Sequence, residues 1–242
     1  MRRIYGINPV LEALRARRVA AVRVSPRADD RLIELTRLAE AHGVTVERVS
    51  AADLDRATGG ARHQGVVADL RRGGATLSVE DLVAGATAAP LIVVLDGIED
   101  PHNVGAILRT VDAAGGDGVV RQTRHAARLD GAAAKASAGA VAHVKVAEVV
   151  NIARAIDALK AAGVWTVGLS GEALTSYRDV DLTLPTAFVV GAEGVGLRRL
   201  VRERCDWLVS IPMAGHVQSL NVSVAAGIAL FEAVRQRTGR QR

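Results

Sequence analysis

The chain is predicted to be an α/β protein with a mostly parallel sheet, preceded by a smaller αβ domain. Three features carry that prediction. From residue 91 onward, apolar runs of strand length alternate with helical stretches, which implies crossover helices on both faces of a parallel sheet. Residues 1–72 carry a separate succession of helix and strand patterns with their own turn signals. Between the two lies RRGGATLSVEDLVAGATAAP (71–90), whose paired Arg, paired Gly, small residues and closing Pro read as a linker.

In the first domain, Asn8-Pro9 opens a helix carrying Val10, Leu11 and Leu14, and AAVRV (20–24) reads as a strand. Leu32, Leu35 and Leu38 recur at helical spacing, Gly43 can stop that helix, and VTVERV (44–49) alternates as a strand should. HQGVVADL (63–70) closes the domain with a turn and a strand. The linker is placed at 73–90, with one helical turn at Ser78 to Val83, and the second domain at 91–242.

The strands of the second domain are expected at LIVVL (91–95), GVV (118–120), VKV (144–146), VWTVGL (164–169), AFVV (187–190) and WLVSI (207–211). The last helix, from about Val222 to Arg237, has Val224, Ala225, Ile228, Phe231 and Val234 on one face and further apolar residues elsewhere. A helix apolar nearly all round must be covered on more than one side, so it is either a deep core helix or the seat of a partner subunit.

Of the 242 residues, 49% are hydrophobic and 24% charged, enough to bury a substantial core. No apolar stretch approaches the roughly 18 residues that span a bilayer. The opening MRRIYGINPV has basic residues without a long apolar core behind them, so a cytoplasmic protein without a membrane partner is expected. A single cysteine, Cys205, excludes an internal disulfide framework, and the scattered histidines argue against a metal site. Charge is unevenly divided: residues 1–72 hold 14 Arg against 9 acidic residues, whereas 73–242 balance 17 against 17. A basic excess confined to one domain fits a nucleic-acid-facing module, although ordinary basic surfaces produce the same sums. With aromatics at 2%, contacts to backbone and shape should outweigh base stacking.

Three runs join an apolar strand to a helix through small or polar residues, the position where α/β proteins place ligand sites. The first, LDGIEDPHNVGAILRT, puts Asn103 and Arg109 six residues apart, near two turns of one helix. Taken alone, Asn103 is equally a cap after Asp100-Pro101 and Arg109 a solvated helix residue. The second, GAEGVGL, follows strand 187–190 but lacks the glycine spacing of a dinucleotide loop and the Gly-Lys of a phosphate cradle. It offers a loop of small residues and one carboxylate, Glu193, that could equally sit in the first turn of the following LRRLVRERC helix. In the third, IPMAGHVQSLNVSVAAG, Ser219, Asn221 and Ser223 stand two apart where the loop becomes the last helix. Ser219 is either its N-cap or part of a polar site.

In this order the three runs resemble the motifs of the SpoU (TrmH) family of RNA ribose 2′-O-methyltransferases, within the SPOUT superfamily. YGINPVLEAL (5–14) and HQGVVA (63–68) resemble the L30e-like RNA-binding domain of the 23S rRNA guanosine 2′-O-methyltransferases of that family. The resemblance implies a SPOUT domain with a deep trefoil knot, a homodimer, and S-adenosylmethionine as methyl donor. The implied substrate is 23S rRNA, at a guanosine in the P loop of the peptidyl transferase centre. It further implies cofactor contacts at Gly191, Ile211 and Leu220, with Gly168, Leu169, Gly171 and Met213 as loop neighbours, and a catalytic set of Asn103, Arg109, Glu193, Ser219 and Asn221. Two other functions remain open: a tRNA ribose 2′-O-methyltransferase, and a non-catalytic RNA-binding ribosome-assembly factor. Residues 121–146 match the family through KASAG, while their leading part is idiosyncratic.

Overall fold

A computed structural model describes residues 3–26, 30–71, 77–129 and 131–239. The chain opens with β1 (Arg3–Tyr5), α1 (Ile7–Arg15), β2 (Val19–Val24), α2 (Asp30–Ala41), β3 (Thr45–Arg48), α3 (Ala51–Thr58) and β4 (Val66–Leu70). These strands form a four-stranded sheet in the order β1-β4-β2-β3, with β4 antiparallel to both neighbours and β2 parallel to β3. Ile4, Val10, Leu14, Val22, Leu35 and Leu54 are buried in its core. Two elements go beyond the sequence reading. β1 is short, and α3 has one buried residue, Leu54; its start is marked by a capping box between Ser50 and Asp53.

After residues 72–76, which lie outside the described residues and include part of the expected linker, come α4 (Val79–Ala84), β5 (Leu91–Asp96), α5 (Pro101–Ala113), β6 (Gly118–Gln122) and α6 (Gly131–Ala136). α4 is the expected helical turn, begun by a Ser78–Asp81 capping box; its Val79 and Leu82 are buried in the core of the second sheet. β7 (Val146–Val149), α7 (Ile152–Ala161), β8 (Trp165–Leu169), β9 (Thr175–Ser176), β10 (Thr186–Gly191), α8 (Arg199–Arg204), β11 (Trp207–Ser210) and α9 (Val222–Gly239) follow.

The seven later strands form one sheet in the order β7-β6-β5-β10-β8-β11-β9, with every pairing parallel. Side chains alternate across it: Ile92, Val94, Val120, Ala187 and Val189 pack under α4, α7 and α8, while α9 lies against β10. The strand expected at 144–146 begins two residues later, because Val146 rather than Val144 is the first to pair with β6. β9, only two residues long, carries no readable pattern.

The chain divides into two compact units. One takes the described residues of Met1–Ala75 with Val104–Arg109 and Arg128–His143; the other takes those of Thr76–Asn103, Thr110–Ala127 and Val144–Arg242. The first unit therefore draws in pieces from later in the chain. Gly105 shows why they fit: a Cβ there would fall 2.6 Å from the Ala133 carbonyl, so the bare Cα lets α5 and α6 approach closely.

Candidate active site

The carboxyl ends of β8, β10 and β11 and the loops beyond them enclose a cavity of about 650 Å³. That volume lies within the range of small-molecule sites, roughly 300 to 1,000 Å³. Leu169 ends β8 and Gly171 lies in the turn after it, Gly191 ends β10 and Glu193 lies in the loop after it, and Ile211, Met213, Ser219, Leu220 and Asn221 come from the long connection into α9.

Three polar side chains from distant parts of the chain meet beside this cavity. Asn103 is only 6% exposed, in the first turn of α5, where the Asp100 carboxylate caps the helix by accepting from His102 N at 3.0 Å and Asn103 N at 3.3 Å. The cap is thus Asp100, which leaves the Asn103 side chain for another use. Its Nδ2 donates to Glu193 Oε1 at 3.1 Å, and its Oδ1 accepts from Asn221 Nδ2 at 2.9 Å. Asn221 Nδ2 also donates to the same Glu193 oxygen at 2.7 Å. Glu193 lies beyond β10 and ahead of α8, so it does not belong to the first turn of the next helix.

The capping alternative at the third motif resolves in favour of a different residue. Asn221 Oδ1 accepts from Ser223 N at 2.9 Å, Ser223 Oγ at 2.6 Å and Val224 N at 3.4 Å, so Asn221 and not Ser219 caps α9. Ser219 is exposed in the cavity wall two residues earlier. Arg109 takes no part in the network: it is exposed on α5, six residues after Asn103.

The glycines have more than one task. A Cβ on Gly191 would lie 2.1 Å from the backbone carbon of Gly196, because the loop folds back through a bridge between Ala192 and Gly196, with Gly196 N donating to Ala192 O at 2.8 Å. Glycine at 191 is therefore demanded by the loop's own fold, independently of a ligand. Gly168 is not among the lining residues; it packs inside β8, where a Cβ would meet Leu208, Leu197 and Cys205.

Several residues outside the expected catalytic and cofactor sets brace the site. The loop after β10 is anchored at its far end by Arg198, whose backbone N and Nε donate to the Asp96 carboxylate at 2.8 and 2.6 Å, and whose Nη2 donates to Gln122 Oε1 at 2.7 Å. Asp96 ends the buried strand β5 and its side chain is wholly inaccessible. A charge directly continuing the apolar run LIVVL was the one hint of this anchor. Glu172 and Arg202, also in the wall, form an ion pair at 2.9 Å. Cys205 lies beside this region, and burial pushes its thiol up to about 12, which keeps it protonated and inert.

The donor set suits an adenosine bearing a charged tail. Apolar side chains of Leu169, Val190, Val209, Ile211 and Leu220 and the backbone of three loops can take a flat base, while Glu172, Glu193 and Arg202 supply charge. Among the described residues there is no group of three metal-ligating side chains, and no helix long and apolar enough to cross a membrane.

An α/β domain with this parallel sheet and a polar cluster at its strand ends defines a methyltransferase of the SpoU class, and this chain belongs to the SpoU rRNA methylase family, which residues 90–231 match. Residues 3–72 match the domain described as RNA 2′-O ribose methyltransferase substrate binding. At the level of individual proteins, the chain is similar to the 23S rRNA (guanosine-2′-O-)-methyltransferase RlmB of Burkholderia sp, 46% identical over 240 residues that cover 98% of this chain and 97% of the relative. It is 44% identical to RlmB of Photobacterium profundum, with 97% of each chain covered. Among solved structures, the SpoU methyltransferase AviRb from Streptomyces viridochromogenes in complex with AdoMet superposes with a TM-score of 0.83 at 29% identity, over 98% of this chain and 90% of that one. The A. aeolicus TrmH/SpoU tRNA modifying enzyme matches 67% of this chain and 82% of its own, with a TM-score of 0.56 and 30% identity.

Proposed function

We propose that this protein transfers a methyl group from S-adenosylmethionine to the ribose 2′-hydroxyl of a guanosine in 23S rRNA, at the P loop of the peptidyl transferase centre. The observation that carries the proposal is the convergence of Asn103, Glu193 and Asn221, separated by up to 118 residues, beside one cavity. Nearly full-length similarity to proteins named RlmB supports the substrate, whereas the tRNA-modifying relative matches only two thirds of the chain.

In this reading residues 1–72 bind RNA, 73–90 link, and 91–242 carry out transfer. The Arg excess of the first part supports its role through counterion release. A cytoplasmic homodimer with a knotted C-terminal segment completes the reading. The insertion of β10 between β5 and β8, although it follows β8 in the chain, supports the threading. Val224 and Phe231 on α9, about half exposed, support the dimer.

When bound, S-adenosylmethionine supplies a methyl group on a positively charged sulfur that departs as a neutral thioether. The protein's task is alignment and charge. Leu169, Gly171, Gly191, Ile211, Met213 and Leu220 hold the cofactor, with Gly168 packed behind them. Asn103, Ser219 and Asn221 orient the ribose hydroxyl, and Glu193 fixes the two amides by accepting from both. Arg109 holds the neighbouring phosphate and stabilises charge developing on the 2′-oxygen as the hydroxyl's proton passes to solvent water; a guanidinium holds its own protons too tightly to act as the base.

The test is incubation with labelled methyl donor and unmodified large-subunit RNA or tRNA, followed by mapping of the 2′-O-methyl sites. Label at one guanosine of the large-subunit RNA is expected. Label in tRNA, or RNA retention without label, overturns the assignment. Arg109→Ala is expected to lower turnover at least about a hundredfold while leaving cofactor affinity intact; an equal loss of cofactor binding would remove Arg109 from this role.

A further inference from the structure

Three charged side chains line the cavity: Glu172, Glu193 and Arg202. Glu193 is already engaged by the amides of Asn103 and Asn221. The other two face each other from the turn after β8 and from α8, with Arg202 Nη1 donating to Glu172 Oε2 at 2.9 Å. Their side chains are 79% and 40% exposed respectively, and an ion pair so open to water contributes little to stability. Its placement is more informative, since among the lining residues it alone presents both signs of charge side by side.

We propose that the Glu172–Arg202 pair is the subsite for the α-amino-carboxylate end of S-adenosylmethionine, an inference that rests on the cofactor assigned above. An α-amino acid at neutral pH carries an ammonium and a carboxylate on one carbon, the complement of this pair. The Arg202 guanidinium offers a planar fork to the carboxylate, and the Glu172 carboxylate accepts from the ammonium. The two side chains exchange one another for the ligand's charges, so no ion is left unpaired as the cavity fills. Adenosine needs no such charges, and Leu169, Ile211 and Leu220 give it apolar walls.

The inference is tested by calorimetric binding of S-adenosylhomocysteine and 5′-methylthioadenosine to the full chain. Both ligands hold a neutral sulfur on the same nucleoside, and the second lacks the amino-acid tail. Arg202→Ala and Glu172→Ala are each expected to weaken S-adenosylhomocysteine by about tenfold or more, with methylthioadenosine bound as in the wild type. Unchanged methylthioadenosine binding also reports an intact fold. Equal weakening of both ligands assigns the pair to the nucleoside or to the fold and overturns the inference, as does weakening of neither. If the unaltered chain binds neither ligand, the cofactor assignment falls and the subsite with it.

Discussion

Asn221 caps α9 with its side-chain oxygen and holds Glu193 with its side-chain nitrogen, 2.7 Å from Oε1. One amide thereby ties the start of the last helix to the loop after β10. Asn221→Asp keeps an oxygen for the cap but removes the donor and sets a second carboxylate against Glu193. Thermal stability is expected to change less than in Asn221→Ala, where losing the cap costs about 1 kcal/mol. Methyl transfer should nevertheless fall by about a hundredfold, the scale on which a lost site donor is felt. Melting curves and single-turnover methylation check both, and full activity in the Asp variant would remove this amide from the mechanism.

Arg198 neutralises the inaccessible Asp96 carboxylate while fixing the end of the Glu193 loop. Arg198→Ala is expected to destabilise the protein by on the order of 3 kcal/mol, because it strands a buried charge. Adding Asp96→Asn should recover part of that loss. Denaturant unfolding of the two variants measures the difference, and a double variant less stable than the single one would contradict the account.

Phe231 and Val224 lie on one side of α9, 50% and 49% exposed, while Ala226, Ala229, Leu230 and Ala233 are buried. Fully burying an exposed Phe side chain contributes roughly 1.5 to 3 kcal/mol, so covering the exposed half of Phe231 contributes about half of that per copy. If α9 seats the proposed partner subunit, the wild type should sediment as a dimer and Phe231→Glu as a monomer, with helix content preserved. A wild-type monomer at micromolar concentration would leave this apolar face unexplained.

The hydrogen bonds from Arg235 are the main cause that holds Glu232 down to about 2 from its ordinary 4.5, reinforced by Gln236. A carboxylate whose folded value is depressed contributes stability above its unfolded value and loses it as pH falls through the folded one. Stability of the wild type is thus expected to decline between about pH 4.5 and 2. Glu232→Gln should show a shallower decline over that window in denaturant titrations at several pH values.

What could be read from the chain follows from what each element needs. LIVVL and AFVV are unbroken apolar runs because β5 and β10 are buried on both faces, and such runs announce a parallel sheet. α2 and α7 show one-sided apolar spacing because each covers one side of a sheet. α3 and β9 carry no such pattern for the opposite reason: each buries too little to leave a period.

Residue types at the site were equally legible, since Asn, Glu and Ser at strand-to-helix junctions stand out against apolar surroundings. Their roles were not. Whether Ser219 or Asn221 caps α9, and whether Glu193 begins a helix or meets two amides, depends on side-chain directions that spacing does not encode. Arg198 looks like any Arg in RRLVRER until the fold brings Asp96 to it across 102 residues. Local periodicity determined the elements and their order, because backbone geometry and burial act over a few residues. The partners of Asn103, Asp96 and Glu172 were decided only by the tertiary structure, because hydrogen bonds and charges act between atoms brought close in space, whatever their separation along the chain.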